Sequence, residues 1–321
     1  MRPAFAAILA VAFLSACATT TAPDAPKPGE AQAEARYTFW RPEPVVGAQE
    51  PSTVVSSAPA DAWRPIDPDN LLVMELKDGG RVLIELATEF APVHVANVKA
   101  FARAGWWNAA AIYRVQDNYV AQWGNGDAKV AMPKGVAPQP PHEYFRSLTG
   151  LDVRPLGYPD SYAPRVGHVN GWPVGYDPEE GRAWLTHCYG YVGVGRDLAP
   201  DTGTGGELYA VIGHAPRHLD LNIAVVGRVI EGIGLLSARP RGTGNLGFYE
   251  NPAHNVGIAR VRLASDMPAA ERPAFEVMRS DSLAFSQYVT GRANRGGEFF
   301  QRPAGGVDIC NAAVPVRKVG G

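Results

Sequence analysis

His187 and Cys188 are adjacent in the sequence, the first place to look for an activated thiol. Successive side chains of a strand leave on opposite faces, so this imidazole is badly placed to take the proton of the neighbouring sulfur, and the pair is set aside as a nucleophile. His214 and His218 share a face at helical spacing. No cysteine or carboxylate set accompanies them, so they read as surface histidines rather than zinc ligands. Gly203-Thr204-Gly205-Gly206 lacks the Lys-Ser/Thr ending of a phosphate loop and reads as a turn. Arg114 is a different kind of candidate: a permanent charge carrying a planar fork of donors. A lone strand arginine is ordinarily half of a surface ion pair, so its neighbours decide what it does. Gln122 lies two positions from Val120, and both side chains should leave the same face of one strand.

The elements that would position these residues are short. Leu71 to Leu76 and Arg81 to Leu86 are β-rich runs joined by Lys77-Asp78-Gly79-Gly80, which suits a hairpin turn. Pro92 opens a helix whose buried face is Val95, Val98, Phe101 and Ala102, and Gly105 is placed to stop it. Ala110 to Val115 and Asn118 to Trp123 are strands around a turn at Gln116 and Asp117. Strands resume at Tyr189 to Gly195, Glu207 to Gly213 and Ile223 to Ile230, followed by a short helix from Ile233 to Ala238 and a closing strand from Val256 to Leu263. Between them, residues 128–182 hold many Pro and Gly residues and little periodicity, and read as a loop-rich insertion. Phe275 to Val289, in an extension over 266–321, could form one helix. Short strands at this spacing with two helices imply a mainly β fold, a closed antiparallel barrel.

At Ala111-Ile112-Tyr113-Arg114-Val115 and Tyr119-Val120-Ala121-Gln122-Trp123-Gly124-Asn125-Gly126-Asp127 the chain resembles the cyclophilin signature. Gly205-Gly206-Glu207-Leu208-Tyr209 is similar to that family's Gly-Ser-Gln-Phe-Phe stretch. His218-Leu219-Asp220 and Val225-Val226-Gly227-Arg228-Val229 are similar to its Trp-Leu-Asp and Val-Phe-Gly-Lys-Val. The likeness runs from about Leu71 to Leu263, with 61–265 as the domain. It implies a cyclophilin-like barrel and a peptidyl-prolyl cis-trans isomerase, with Arg114 and Gln122 catalytic and Tyr119, Val120, Tyr209, His218, Leu219 and Ile223 receiving the proline. Neither cofactor nor metal is implied. Ile112-Tyr113 stands where the family usually has Phe-His, Glu207 where Gln is common, His218 where many members carry Trp, and Ile223 where the best-studied carry His. These changes remove aromatic surface, so a non-catalytic module or chaperone that binds proline-containing segments is the alternative.

Arg2, the apolar run Pro3 to Phe13 and Leu14-Ser15-Ala16-Cys17 form an export signal over 1–17 that looks like a bacterial lipobox, with Cys17 the lipidated residue. The run is shorter than the ~20 apolar residues that span a bilayer. Ala18 after the cysteine resembles the sorting signal for the outer membrane. Residues 18–60, rich in Ala, Pro, Thr and Ser, read as a tether. These features place the folded part on the periplasmic side, acting on exported polypeptides. In that oxidising compartment Cys188 and Cys310 are either bridged or two separate buried thiols. The net charge of −2, with Lys and Arg scattered through 321 residues, argues against nucleic acid as a partner.

Overall fold

The structure, a computed structural model, describes residues 44–126 and 130–320. The export signal, Cys17, Tyr37 to Trp40 and the tether up to residue 43 lie outside the described residues. The end of the expected tether is ordered: helix α1 spans Pro51–Ser57 and a single 3-10 turn spans Ala60–Ala62. Val54 is buried against Ala284 and Phe285 of the C-terminal extension, and this tertiary packing holds a helix too short to form alone.

Strand β1 is Trp63–Pro65, and β2 (Leu71–Leu76) and β3 (Arg81–Leu86) form the expected hairpin. Its turn needs glycine, since Gly79 and Gly80 have φ of 101° and 84°. Helix α2 follows at Pro92–Arg103, then β4 (Ala111–Val115) and β5 (Val120–Gly124). The region expected to be loop-rich contains five strands: β6 (Arg146–Ser147), β7 (Arg154–Pro155), β8 (Arg165–Val169), β9 (Trp172–Asp177) and β10 (Arg182–Leu185). They form one antiparallel sheet in the order β6-β10-β9-β8-β7 that reaches past residue 182, and its apolar side chains cluster with Phe90, Tyr191 and Val225 on one side and with Ile309 and Ala312 of the extension on the other.

The chain returns through β11 (Tyr191–Val194), β12 (Leu208–Val211), β13 (Val225–Glu231), helix α3 (Ile233–Ser237) and β14 (Val256–Leu263). Eight strands close the barrel in the order β11-β12-β5-β4-β14-β2-β3-β13. Its core joins Leu72, Met74, Ile84 and Ile112 to Val98 and Phe101 of α2 and Leu236 of α3, the two helices expected to cap it. The single helix expected from Phe275 to Val289 is instead strand β15 (Phe275–Met278) and helix α4 (Leu283–Ala293). The Ser282 hydroxyl accepts from Phe285 N and starts α4. The last strand, β16 (Val316–Lys318), pairs with β15, which also pairs with β1.

Buried polar groups join these layers. Glu85 of β3 accepts from Arg228 of β13 at 2.6 Å and from Arg64 of β1 at 2.9 Å. Arg228 in turn donates to Gly171 O and lies over Trp172, 4.5 Å from the ring centroid. Burial pushes the Glu85 carboxyl up, but the two guanidinium groups hold it below its ordinary range. Cys188 and Cys310 are bonded, with an S–S distance of 2.05 Å, which ties the chain ahead of β11 to the extension.

Candidate active site

The bend between β4 and β5 sets Arg114 directly across from Gln122. Arg114 Nη1 donates to Gln122 Oε1 at 2.9 Å, Nη2 to Gln116 Oε1 at 2.5 Å and Nε to the carbonyl of Leu246 at 2.7 Å. Three of the five guanidinium N–H groups are thus held by the protein, leaving one on each Nη for a ligand. The Phe248 ring lies 5.4 Å and the Tyr119 ring 5.9 Å from Arg114 Cζ. Burial lowers the arginine's pKa from its ordinary value, but a guanidinium keeps its charge in such a setting.

Gln122 is oriented from both ends. Its oxygen faces a donor, and its Nε2 donates to Tyr113 Oη at 2.7 Å, while that hydroxyl donates to Glu207 Oε2 at 2.6 Å. Because Arg114 can only donate, the amide has one permitted orientation, with one N–H left over for a substrate carbonyl. Burial, then the Glu207 charge, raises the Tyr113 pKa, so the phenol stays a donor.

Beside Arg114 lies an apolar patch of Val120, Tyr209 and Val211, bordered by Tyr119, Leu219 and Ile223. Val120 and Tyr209 are almost fully buried, which suits a pocket floor. His218 stacks on Tyr119, with ring centroids 6.1 Å apart and planes 5° from parallel. All eight residues expected at the site are therefore gathered on one face of the barrel. On the other side of Gln122 a cavity of about 490 Å³ is lined by Tyr113, Gly195, Arg196, Thr204, Glu207 and Phe248.

Residues that the motif does not mark complete the site. Gln116, at the turn that follows β4, holds Arg114 with its side chain. Leu246 and Phe248 come from the segment before β14, which shows no periodicity. His187, the sequence neighbour of Cys188, bonds Asp220 and Tyr209. Glu143 of the insertion accepts from the backbone N–H of Val93 and His94, capping α2 behind the site.

The family model for cyclophilin type peptidyl-prolyl cis-trans isomerase/CLD matches residues 71–263. Proteins named probable peptidyl-prolyl cis-trans isomerase from Brucella suis biovar 1 and Brucella abortus (strain 2308) are 28% and 27% identical over 187 residues, which is 58% of this chain and 80% of each relative. Among solved structures, cyclophilin AquaCyp293 from Hirschia baltica matches with a TM-score of 0.62 at 24% identity, over 80% of this chain and 93% of its own. That likeness is one of fold, and it extends beyond residues 71–263.

Proposed function

Because the chain belongs to the cyclophilin type peptidyl-prolyl cis-trans isomerase family, we propose that it isomerises prolyl bonds of exported polypeptides with Arg114 stabilising the twisted amide. The observation that carries this reading is the fixed guanidinium, with two N–H groups still available, beside the Val120-Tyr209-Leu219 patch. Rotation about the prolyl bond is slow because the nitrogen lone pair is delocalised into the carbonyl, a barrier of ~20 kcal/mol. At the twisted transition state the nitrogen becomes pyramidal and regains that pair. A donor aimed at it then bonds more strongly than in the planar ground state, which is the condition for catalysis. The pocket captures the ring by apolar contact, and the remaining N–H of Gln122 holds the backbone. No bond to carbon is made or broken, so the reaction needs no nucleophile.

Export and lipidation at Cys17 belong to the same reading, with the mature protein anchored on the periplasmic side of the outer membrane. The Cys188–Cys310 bond supports it, because such bonds persist in oxidising compartments. Mass spectrometry of the mature N-terminus should find a lipidated Cys17, and an unmodified cysteine or a different first residue would reject the anchor. Magnetisation-exchange NMR on a short Ala-Pro peptide tests the activity: the wild-type protein should accelerate cis/trans exchange, and no acceleration would leave only binding.

A further inference from the structure

The hydroxyl of Tyr209 has no part in capturing a proline ring, yet the surrounding structure is built to receive it. Tyr209 stands opposite Gly193 of β11, and a Cβ at Gly193 would overlap the phenol Cζ and Oη. The strand therefore gives up a side chain to admit the ring. Beyond it the hydroxyl lies 3.1 Å from His187 Nε2. His187 is 1% exposed, and its backbone N and Nδ1 each lie 2.9 Å from Asp220 Oδ1. Asp220 Oδ2 accepts from Arg217 Nε at 2.5 Å and from Trp184 Nε1 at 3.4 Å. Arg217 also pairs with Asp160 of the insertion at 2.9 and 3.0 Å. With Nδ1 donating to the carboxylate, Nε2 is left to accept a hydrogen bond from the Tyr209 hydroxyl.

We propose that His187 is a positioning residue for the prolyl pocket: it accepts a hydrogen bond from the Tyr209 hydroxyl and so fixes the phenol as the pocket floor, at a place set by Asp220 and, through Arg217 and Asp160, by the inserted sheet. This rests on reading the Val120-Tyr209-Leu219 patch as the proline site. A buried hydroxyl without a partner keeps its desolvation penalty or draws water into the pocket. Either outcome removes contact from the ring. Ring capture operates on ground and transition states alike, so the loss falls on KM more than on kcat.

The experiment compares kcat and KM for Ala-Pro peptides, with thermal melts, in His187→Phe, His187→Gln and the double variant His187→Phe/Tyr209→Phe. Leaving one buried partner unpaired should raise KM about five- to a hundredfold in His187→Phe. Glutamine, which can donate to Asp220 and accept from Tyr209, should keep most of the affinity. Removing both polar partners should recover much of what the single change loses. A folded His187→Phe with wild-type KM, or a double variant no better than the single one, would show that the imidazole only fills space and would overturn the proposal. Should His187→Phe fail to fold, NMR of the 13Cζ-labelled Tyr209 decides: a protected hydroxyl proton in wild type and His187→Gln supports the bond, and a freely exchanging one refutes it. Peptide titration separates this inference from its premise. Wild-type shifts confined to residues far from Tyr209 and Leu219 would remove the pocket reading, and the proposal with it. Shifts at both residues beside an unchanged His187→Phe would remove the proposal alone.

Discussion

Arg114 Nη1 donates to Gln122 Oε1 at 2.9 Å across the paired strands β4 and β5, so each side chain fixes the orientation of the other. Gln122→Ala should free the guanidinium from one of its three restraints and remove the amide proposed to hold the substrate backbone. We expect kcat/KM to fall roughly tenfold or more, the range of one hydrogen bond to a charged group, with the melting temperature little changed. Steady-state exchange rates beside a melt test this, and wild-type kcat/KM in the variant would contradict it.

Gly247 should be required for the clamp on Arg114. It has φ of 80°, and a Cβ there would lie 2.5 Å from Gln116 Cα. Gly247→Ala is expected to displace the Leu246 carbonyl and loosen the arginine, lowering kcat while the barrel stays folded. Parallel circular dichroism and kinetics would show it; unchanged kcat would mean that the Leu246 contact does not position the guanidinium.

The barrel was legible in the sequence because its strands are joined by local signals: the glycine turn at 77–80, Pro92 opening a helix and Gly105 closing it. The inserted sheet was not, although Asn170-Gly171 (φ 49° and 81°) and Gly181 (φ 63°) make its hairpin turns, because further glycines lie inside its strands and break the alternation of side chains. A Cβ at Gly175 would meet the Trp184 ring, and one at Gly167 the Arg154 carbonyl, so these positions are glycine within strands. The strand-then-helix pattern of Phe275 to Ala293 depends on β15 pairing with β1, more than two hundred residues earlier, which no local window contains. At the site, Arg114, Gln122 and the pocket residues came from the motif. The contacts of Leu246 and Phe248 did not, since they exist only once the segment before β14 folds back onto β4.

Stability should fall as pH drops from 6.5 towards 4, through His168. This imidazole is fully buried in β8 against Phe285, 3.2 Å from Ala312 O, and burial lowers its pKa from 6.5 to about 4. Between those values the unfolded chain binds a proton that the folded one refuses, so stability is fully present above pH 6.5 and is lost as pH falls to about 4. The span corresponds to ~3 kcal/mol. Denaturant titrations at several pH values should show that His168→Gln flattens this slope; an equal slope in both proteins would contradict the assignment.

The bond between Cys188 and Cys310 closes a loop of 122 residues. Replacing both cysteines with alanine should lower unfolding stability by ~2–5 kcal/mol, the usual range for removing a native disulfide. Non-reducing peptide mapping checks the pairing and denaturant melts the cost. Two free thiols in protein purified without reductant, or no loss of stability on replacement, would contradict it.

The most direct test of the mechanism is the rate of prolyl exchange in Arg114→Ala, measured beside Arg114→Lys and wild type at matched folding. Loss of one preorganised donor is worth ~3–4 kcal/mol in a transition state, so Arg114→Ala should be slower by about a hundred- to a thousandfold. Lysine should recover little of it, since a flexible point charge cannot reproduce a fork already held by Gln122, Gln116 and Leu246. A folded Arg114→Ala that accelerates exchange as fast as wild type would contradict the account.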